Sequence, residues 1–172
     1  NIDTEENFTS LFTAVNALAG KYNMPVLYSC HPRSAKKLKE RNFKLDPRVI
    51  QHEPLGFIDY NCLQMNAFAV VSDSGTLPEE ASFFTSVGHP FPAVCIRTST
   101  ERPEAMEKGC FILSGIDEQG LLGSVETAVE MLKNGHNGIP VPDYEDVNVS
   151  DKVVKIVRSY TGIVNKMVWR KK

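Results

Sequence analysis

The sequence lacks most of the features that would settle its class at once. No apolar run approaches the ~20 residues of a membrane span, and no charged-then-apolar leader opens the chain, so no membrane partner is expected. Basic residues show no surplus: 19 Lys and Arg stand against 21 Asp and Glu, for a net charge of −2. A nucleic-acid binder carries a basic excess or stripe, so no nucleic acid is expected either. Cysteine is scarce, with Cys30, Cys62, Cys95 and Cys110 forming neither a C-x-x-C pair nor a Cys/His cluster at zinc spacing. Cys30, Cys95 and Cys110 lie in or beside short apolar runs, the setting of buried free thiols. A reducing, cytoplasmic compartment follows as the default. The Gly-Lys pair of a P-loop is missing, and no Ser-His-Asp order, H-E-x-x-H or paired-carboxylate spacing stands out. The chain also opens on Asn1-Ile2-Asp3, without an initiator Met and without an opening strand.

What remains is an ordinary globular composition: 172 residues, 42% hydrophobic and 23% charged. That length is one domain or part of one, with enough apolar material for a real core. Phe8, Leu11, Phe12, Val15, Leu18 and Tyr22 recur at steps of three and four and predict a first helix, with Asp3 as its N-cap and Glu6 completing a capping box. Apolar runs predict strands at Pro25 to Ser29, Val49 to His52, Phe68 to Ser72, Ala93 to Arg97 and Cys110 to Ser114. Between them, helices are expected over Ser34 to Arg41, from an Asp59 cap to Ala67, over Pro78 to Thr85 and from Pro103 to Gly109. A helix over Glu118 to Lys133 and a last one capped by Ser150 follow, the latter with Val153, Val154, Val157, Tyr160, Val164 and Val168 along one stripe. Five strands alternating with helices make an α/β fold with a Rossmann-like parallel sheet flanked by helices. No interior linker suggests a second domain within residues 1–172.

Ligands of open parallel sheets bind beyond the carboxyl ends of the strands, and three turns there carry polar clusters. In the first, Ser72-Asp73-Ser74-Gly75-Thr76, an apolar strand delivers a small hydroxyl-rich turn to a helix N-terminus. Backbone N–H groups and the helix dipole there suit a phosphate, with Ser74 and Thr76 adding hydroxyls and Gly75 letting the backbone approach. Glu80, one helical turn on, can accept hydrogen bonds from a ribose diol. An ordinary capped strand–turn–helix junction explains the same residues. In the second, Arg102 precedes a helix and can reach an anion with two parallel hydrogen bonds, with Glu101 orienting it. A surface salt-bridge turn is the plainer reading. In the third, His31 and Arg33 follow a strand and can line the cleft, although a lone His is more often structural. Tyr60 can stack on a base or be a core aromatic.

Ser72-Asp73-Ser74-Gly75-Thr76 with Glu79-Glu80, followed by Thr100-Glu101-Arg102-Pro103-Glu104-Ala105, resembles the non-hydrolysing UDP-N-acetylglucosamine 2-epimerase family. His31-Pro32-Arg33, Leu55-Gly56-Phe57 with Tyr60, Arg97-Thr98-Ser99-Thr100 and the ending through Tyr160, Asn165 and Trp169 look like the branch that forms UDP-N-acetyl-L-fucosamine. The resemblance implies the C-terminal half of a glycosyltransferase-B-like enzyme, with UDP or a UDP-N-acetyl-hexosamine as ligand. It further implies a homodimeric parent, a place in capsule or O-antigen synthesis, and no metal and no cofactor. Carried over position by position, Ser74 and Gly75 bind phosphate, Glu80 binds the ribose hydroxyls, Tyr60 lies on uracil, and Arg102 lies near the pyrophosphate or shapes its loop, with Thr76 and His31 completing the UDP-binding set. Thr76 stands where the family usually has a second Gly, and the stretch from Phe84 to Phe91 is longer than the common pattern.

The family's chemistry is elimination of UDP to a glycal and its re-addition after C2 is reprotonated. Its acid–base carboxylates lie on an N-terminal domain, so no catalytic residue is expected in this chain. Asn1 looks like the tail of a His-Arg-Glu-Glu-Asn motif that ends the domain's first strand. The expectation is therefore a fragment, inactive alone, that lacks both the N-terminal domain and the central first strand. A non-catalytic nucleotide-sugar-binding module and a glycosyltransferase donor domain are the alternatives, the Thr100 to Ala105 element arguing against the latter.

Overall fold

The computed structural model describes residues 4–171 and divides the chain into two units, 1–141 and 142–172. In the first unit the elements run α1 (Glu5–Tyr22), β1 (Val26–Ser29), α2 (Pro32–Glu40), β2 (Val49–His52), α3 (Phe57–Asn66), β3 (Val70–Ser72), α4 (Leu77–Ser86), β4 (Ala93–Cys95), α5 (Pro103–Glu107), β5 (Ile112–Leu113) and α6 (Glu118–Lys133). All five expected strands are present and every pairing is parallel. They form two sheets, β1 with β2 and β3-β4-β5, and β1 is not bonded to β3.

The apolar periodicity of α1 is what buries it. Phe8, Phe12, Ala14, Leu18 and Ala19 are all buried, each large one contributing about 1.5–3 kcal/mol. Leu18 and Ala14 pack with Val94, Ile96, Leu121, Val125 and Val129, so α1 and α6 share one core over β4. Phe8 and Phe12 join Cys30 and Leu38 in a second cluster, with ring centroids 4.7 Å apart and Phe43 edge-on to Phe8 at 5.8 Å. Ser82 is a buried exception on α4; its Oγ accepts the backbone N–H of Val141 at 2.7 Å and ties the end of the unit to that helix.

Several helix starts differ from expectation. Thr4 caps α1, its hydroxyl accepting the Asn7 N–H at 3.1 Å; Asp3 and Asn1 lie outside the described residues. Gly56 caps α3, and Asp59 instead supplies negative charge to its first turn, where the helix dipole favours it. Cys30, Cys95 and Cys110 are buried free thiols, as expected, and Cys62 is exposed.

The second unit holds a 3-10 turn (Pro142–Tyr144) and α7 (Val149–Met167). Asn148, not Ser150, is the residue before the helix, and Lys152 pairs with Asp146 beside it. The stripe containing Val153, Val157, Tyr160, Val164 and Val168 is present, and no residue of α7 is buried. Among the described residues no helix is long and apolar enough to cross a membrane.

Candidate functional site

The turn between β3 and α4 is ordered by its own hydroxyls. The Ser72 hydroxyl accepts the Ser74 N–H at 3.0 Å, and the Ser74 hydroxyl accepts the Thr76 N–H at 3.2 Å. Ser74 and Thr76 share a hydrogen bond of 2.9 Å between their hydroxyls. These short polar side chains hold the backbone in a turn that leads straight into α4. A Cβ added at Gly75 would meet nothing within 4 Å, and Gly75 has no left-handed backbone angle. Neither packing nor conformation within the chain calls for glycine there, and the open face is free to admit a ligand close to the backbone.

Glu80 sits one turn into α4 and is the hub of the site. Its Oε1 accepts from the Thr76 hydroxyl at 2.8 Å. Its Oε2 accepts from Gln64 Nε2 at 2.7 Å and, more weakly, from the Tyr60 hydroxyl at 3.4 Å. Tyr60 and Gln64 lie four residues apart on α3, so they share a face and converge on one carboxylate. Burial pushes the Tyr60 phenol up to about 12, with the Glu80 charge and hydrogen bond acting in the same direction. Gln64 is only 3% exposed, and its Oε1 is buried without a partner. A buried amide oxygen left unpaired is costly, which marks this corner as built around something besides packing.

The Arg102 loop reaches the same helix by a different residue than expected. Arg102 Nε donates to Glu79 Oε1 at 2.6 Å, so Glu79 orients the guanidinium. Glu101 turns its carboxylate toward Arg97 at 3.4 Å and accepts from Arg102 through its backbone carbonyl, at 3.1 Å. The first turn of α4 carries both Glu79 and Glu80. An anion at that helix end would gain from the dipole but meet two carboxylates; Arg102 cancels one of them.

His31 has a structural duty, since its Nδ1 caps α2 by accepting the Arg33 N–H at 3.2 Å. It also lines a cavity of about 580 Å³ together with Tyr60, Gln64, Ser72 and Asp73. The structure thus joins Ser74, Thr76, Glu80 and Tyr60 in one hydrogen-bonded group, attaches Arg102 through Glu79, and leaves His31 on the cavity wall. Sequence reasoning passed over Gln64. Its signal was the four-residue spacing from Tyr60, a polar residue between Leu63 and Met65. Among the described residues no group of three His, Cys, Asp or Glu side chains is placed to hold a metal ion.

The chain is similar to known proteins over most of its length. The family model described as UDP-N-acetylglucosamine 2-epimerase matches residues 1–158. The UDP-N-acetylglucosamine 2-epimerase of Methanococcus maripaludis is 35% identical over 162 residues, covering 91% of this chain and 41% of its own length. The structure of the Rickettsia bellii enzyme of that name superposes with a TM-score of 0.83 at 36% identity, over 98% of this chain and 45% of that one. That of Methanocaldococcus jannaschii in complex with UDP-GlcNAc and UDP does so with a TM-score of 0.75 at 27% identity, over 92% and 42%. The chain spans less than half the length of these relatives. With a family model covering nine-tenths of its residues and the same α/β architecture in its structural relatives, the chain belongs to the UDP-N-acetylglucosamine 2-epimerase family.

Proposed function

We propose that this chain is the UDP-binding part of a UDP-N-acetyl-hexosamine 2-epimerase, an isomerase acting by elimination and re-addition of UDP. The observation that carries the reading is the Glu80 carboxylate, pinned by Thr76, Gln64 and Tyr60 one helical turn beyond a glycine turn. In this reading the ribose hydroxyls donate to Glu80, and the diphosphate lies on Ser74, Gly75 and Thr76 at the N-terminus of α4. The uracil lies on Tyr60. Arg102 and His31 flank the diphosphate, Arg102 by neutralising Glu79. A relative whose structure holds UDP-GlcNAc and UDP supports the nucleotide class.

The chemistry assigns limited roles to this chain's residues. The anomeric C–O bond breaks toward UDP, so negative charge grows on the diphosphate. Fixed donors and a helix end aimed there stabilise that charge without reorganising. The protons that leave and rejoin C2 need carboxylates, and we place those on a further domain of the longer enzyme, across a cleft. The finer proposal is that the product is UDP-N-acetyl-L-fucosamine, supported by the His31-Pro32-Arg33 and Leu55 to Tyr60 stretches. We place the parent in the cytoplasm as a homodimer feeding capsule or O-antigen synthesis.

The test is UDP titration followed by NMR shifts in the amides of residues 72–80 together with Tyr60 and Gln64. Saturable shifts confined to these residues are expected, with no epimerisation of a UDP-N-acetyl-hexosamine by this chain alone. Shifts elsewhere, or none, defeat the reading; turnover at C2 defeats its second half.

A further inference from the structure

Thr76 is placed to cap α4 and does not do so. It is the residue before the helix, with φ −85 and ψ −18, and its side chain makes no capping hydrogen bond. A threonine in that position ordinarily turns its hydroxyl onto a backbone N–H of the first helical turn. The Thr76 hydroxyl instead spans two side chains that the proposed site uses for different parts of its ligand. Ser74 lies on one side at 2.9 Å and the Glu80 carboxylate on the other at 2.8 Å. Thr76 is exposed, so these two bonds, rather than packing, hold its side chain where it is.

The direction of the protons along this chain of bonds follows from its end. A carboxylate accepts and offers no proton, so Thr76 donates its single hydroxyl hydrogen to Glu80. The bond between the two hydroxyls must then run from Ser74 to the Thr76 oxygen. The Ser74 oxygen accepts the Thr76 N–H at 3.2 Å. Ser74 has thus committed its only side-chain donor, and a ligand can use that proton only by taking it from Thr76. Hydrogen bonds in a chain polarise one another, each strengthening the next by roughly 10–30%. The more strongly Glu80 draws on Thr76, the better an acceptor Thr76 becomes for Ser74. At the far end the same carboxylate accepts from Gln64 Nε2 at 2.7 Å, so Gln64 senses what happens at Ser74.

We propose that Thr76 is a positioning residue that couples the diphosphate and ribose subsites, so that each binds better when the other is filled. This rests on the UDP reading of the site. A diphosphate that accepts from Ser74 takes its proton from Thr76. Thr76 then donates less strongly to Glu80, and the carboxylate turns more of its acceptor capacity to the ribose diol. A diol that donates to Glu80 weakens the draw on Thr76, and the Ser74 proton is released for phosphate. These are one coupling seen from its two ends, as linkage requires. The site is thereby tuned to a nucleoside diphosphate as a unit. It is tuned against free pyrophosphate, which must break the Ser74–Thr76 bond with no diol to offset the loss. In a reaction that expels UDP and adds it back, both parts of the departing group are then held together.

Inorganic pyrophosphate and UDP, titrated separately into the whole chain and followed by NMR, test this. The variants are Thr76→Val, which removes the hydroxyl and keeps the shape, and Thr76→Ser, which keeps the hydroxyl. In the wild type, pyrophosphate should shift the backbone amides of residues 74–80 and also the Gln64 side-chain amide, which it does not touch. In Thr76→Val the backbone shifts should remain and the Gln64 shift should vanish. Pyrophosphate should also bind that variant about threefold more tightly, because the Ser74 proton is no longer committed. The preference for UDP over pyrophosphate should fall at least about threefold in Thr76→Val and stay within about twofold of the wild type in Thr76→Ser. A merely structural role weakens both ligands and tightens neither. Pyrophosphate binding that is unchanged or weaker in Thr76→Val, or a Gln64 shift that persists there, overturns the coupling while leaving UDP at the site. If UDP itself shifts none of residues 72–80 in the wild type, the UDP reading fails and the coupling falls with it.

Discussion

Replacing Glu80 by Gln is the sharpest probe of the site, because its two possible effects can be separated. The carboxylate offers about four lone-pair positions. Thr76 and Gln64 fill two at 2.8 and 2.7 Å, and Tyr60 leans on a third at 3.4 Å. That leaves acceptor capacity for a diol, and the side chain is already oriented by three neighbours. Hydrogen bonds to a charged group contribute about 1.5–3 kcal/mol, so Glu80→Gln should weaken UDP roughly 10- to 150-fold. The amide keeps the size of the side chain, so the fold is retained. Glu80→Ala should be worse in a different way, stranding the buried Gln64 amide and lowering stability by about 1–3 kcal/mol. The assay is NMR titration, which tolerates weak binding, run with UDP and with 2′,3′-dideoxyuridine 5′-diphosphate. Loss of the diol should cost the wild type most of its advantage, and Glu80→Gln should then change nothing further. If Glu80→Gln weakens both ligands equally, the carboxylate does not hold the ribose and the assignment fails.

Other consequences are as direct. Arg102→Met should weaken UDP about tenfold by leaving Glu79 uncancelled at the helix end, and adding Glu79→Gln should restore much of it, a coupling of the size that contacting charges show; additive losses would mean Arg102 acts on its own. The Tyr60 phenol, raised to about 12 by burial and by Glu80, should titrate lower in Glu80→Gln yet stay above its usual value near 10, as read by tyrosine ring carbon shifts; an unmoved titration would separate Tyr60 from Glu80. Asp46 is held down to about 2 by the Arg48 side chain and backbone N–H. Its stabilising contribution is present above the unfolded value near 3.9 and lost as pH falls toward 2, so Asp46→Asn should flatten the fall of Tm in that window. Gly138 has φ +77 and would bring a Cβ to 2.6 Å from the Gly109 carbonyl oxygen; Gly138→Ala should cost about 2–4 kcal/mol in denaturant unfolding, whereas Gly75→Ala, with open space around it, should leave stability within about 0.5 kcal/mol.

How much of this was legible in the residues depends on the range of the interaction. The strands from Val26 and Val70 and the buried face of α1 follow from local apolar pattern, which packing against α6 and β4 then rewards. The hydroxyl turn at Ser74 was equally local, since its bonds span two residues. Helix caps fell one to three residues away from expectation, because Thr4, Gly56 and Asn148 compete with neighbours of similar propensity and a cap is decided by a single backbone angle. The pairing of Arg102 was illegible for a different reason. Glu101 is adjacent in sequence, but the chain turning into α5 sends the guanidinium 23 residues back to Glu79. Gln64 was hidden similarly: an amide in a helix reads as surface until Glu80, 16 residues on, supplies its partner.

The same distinction separates the strands from the layers they make. Each strand owes its existence to apolar residues a few positions apart, and among the described residues β1 and β3 form on that ground with one neighbour apiece. Their burial, however, is a property of the whole layer, and neither strand buries a residue. The turns that carry His31 and Ser72-Asp73 are rooted in these two strands. The candidate site is consequently best ordered where it hangs from α4, which has its own buried face in Leu77, Ala81 and Phe84. It is least supported where it hangs from β1. Glu80, Thr76 and Ser74 hold their mutual geometry through their own hydrogen bonds, whereas His31 takes its place from β1 and the helix it caps. A site assembled this way has one half set by a single helix and its turn, and another set by the loop that follows β1.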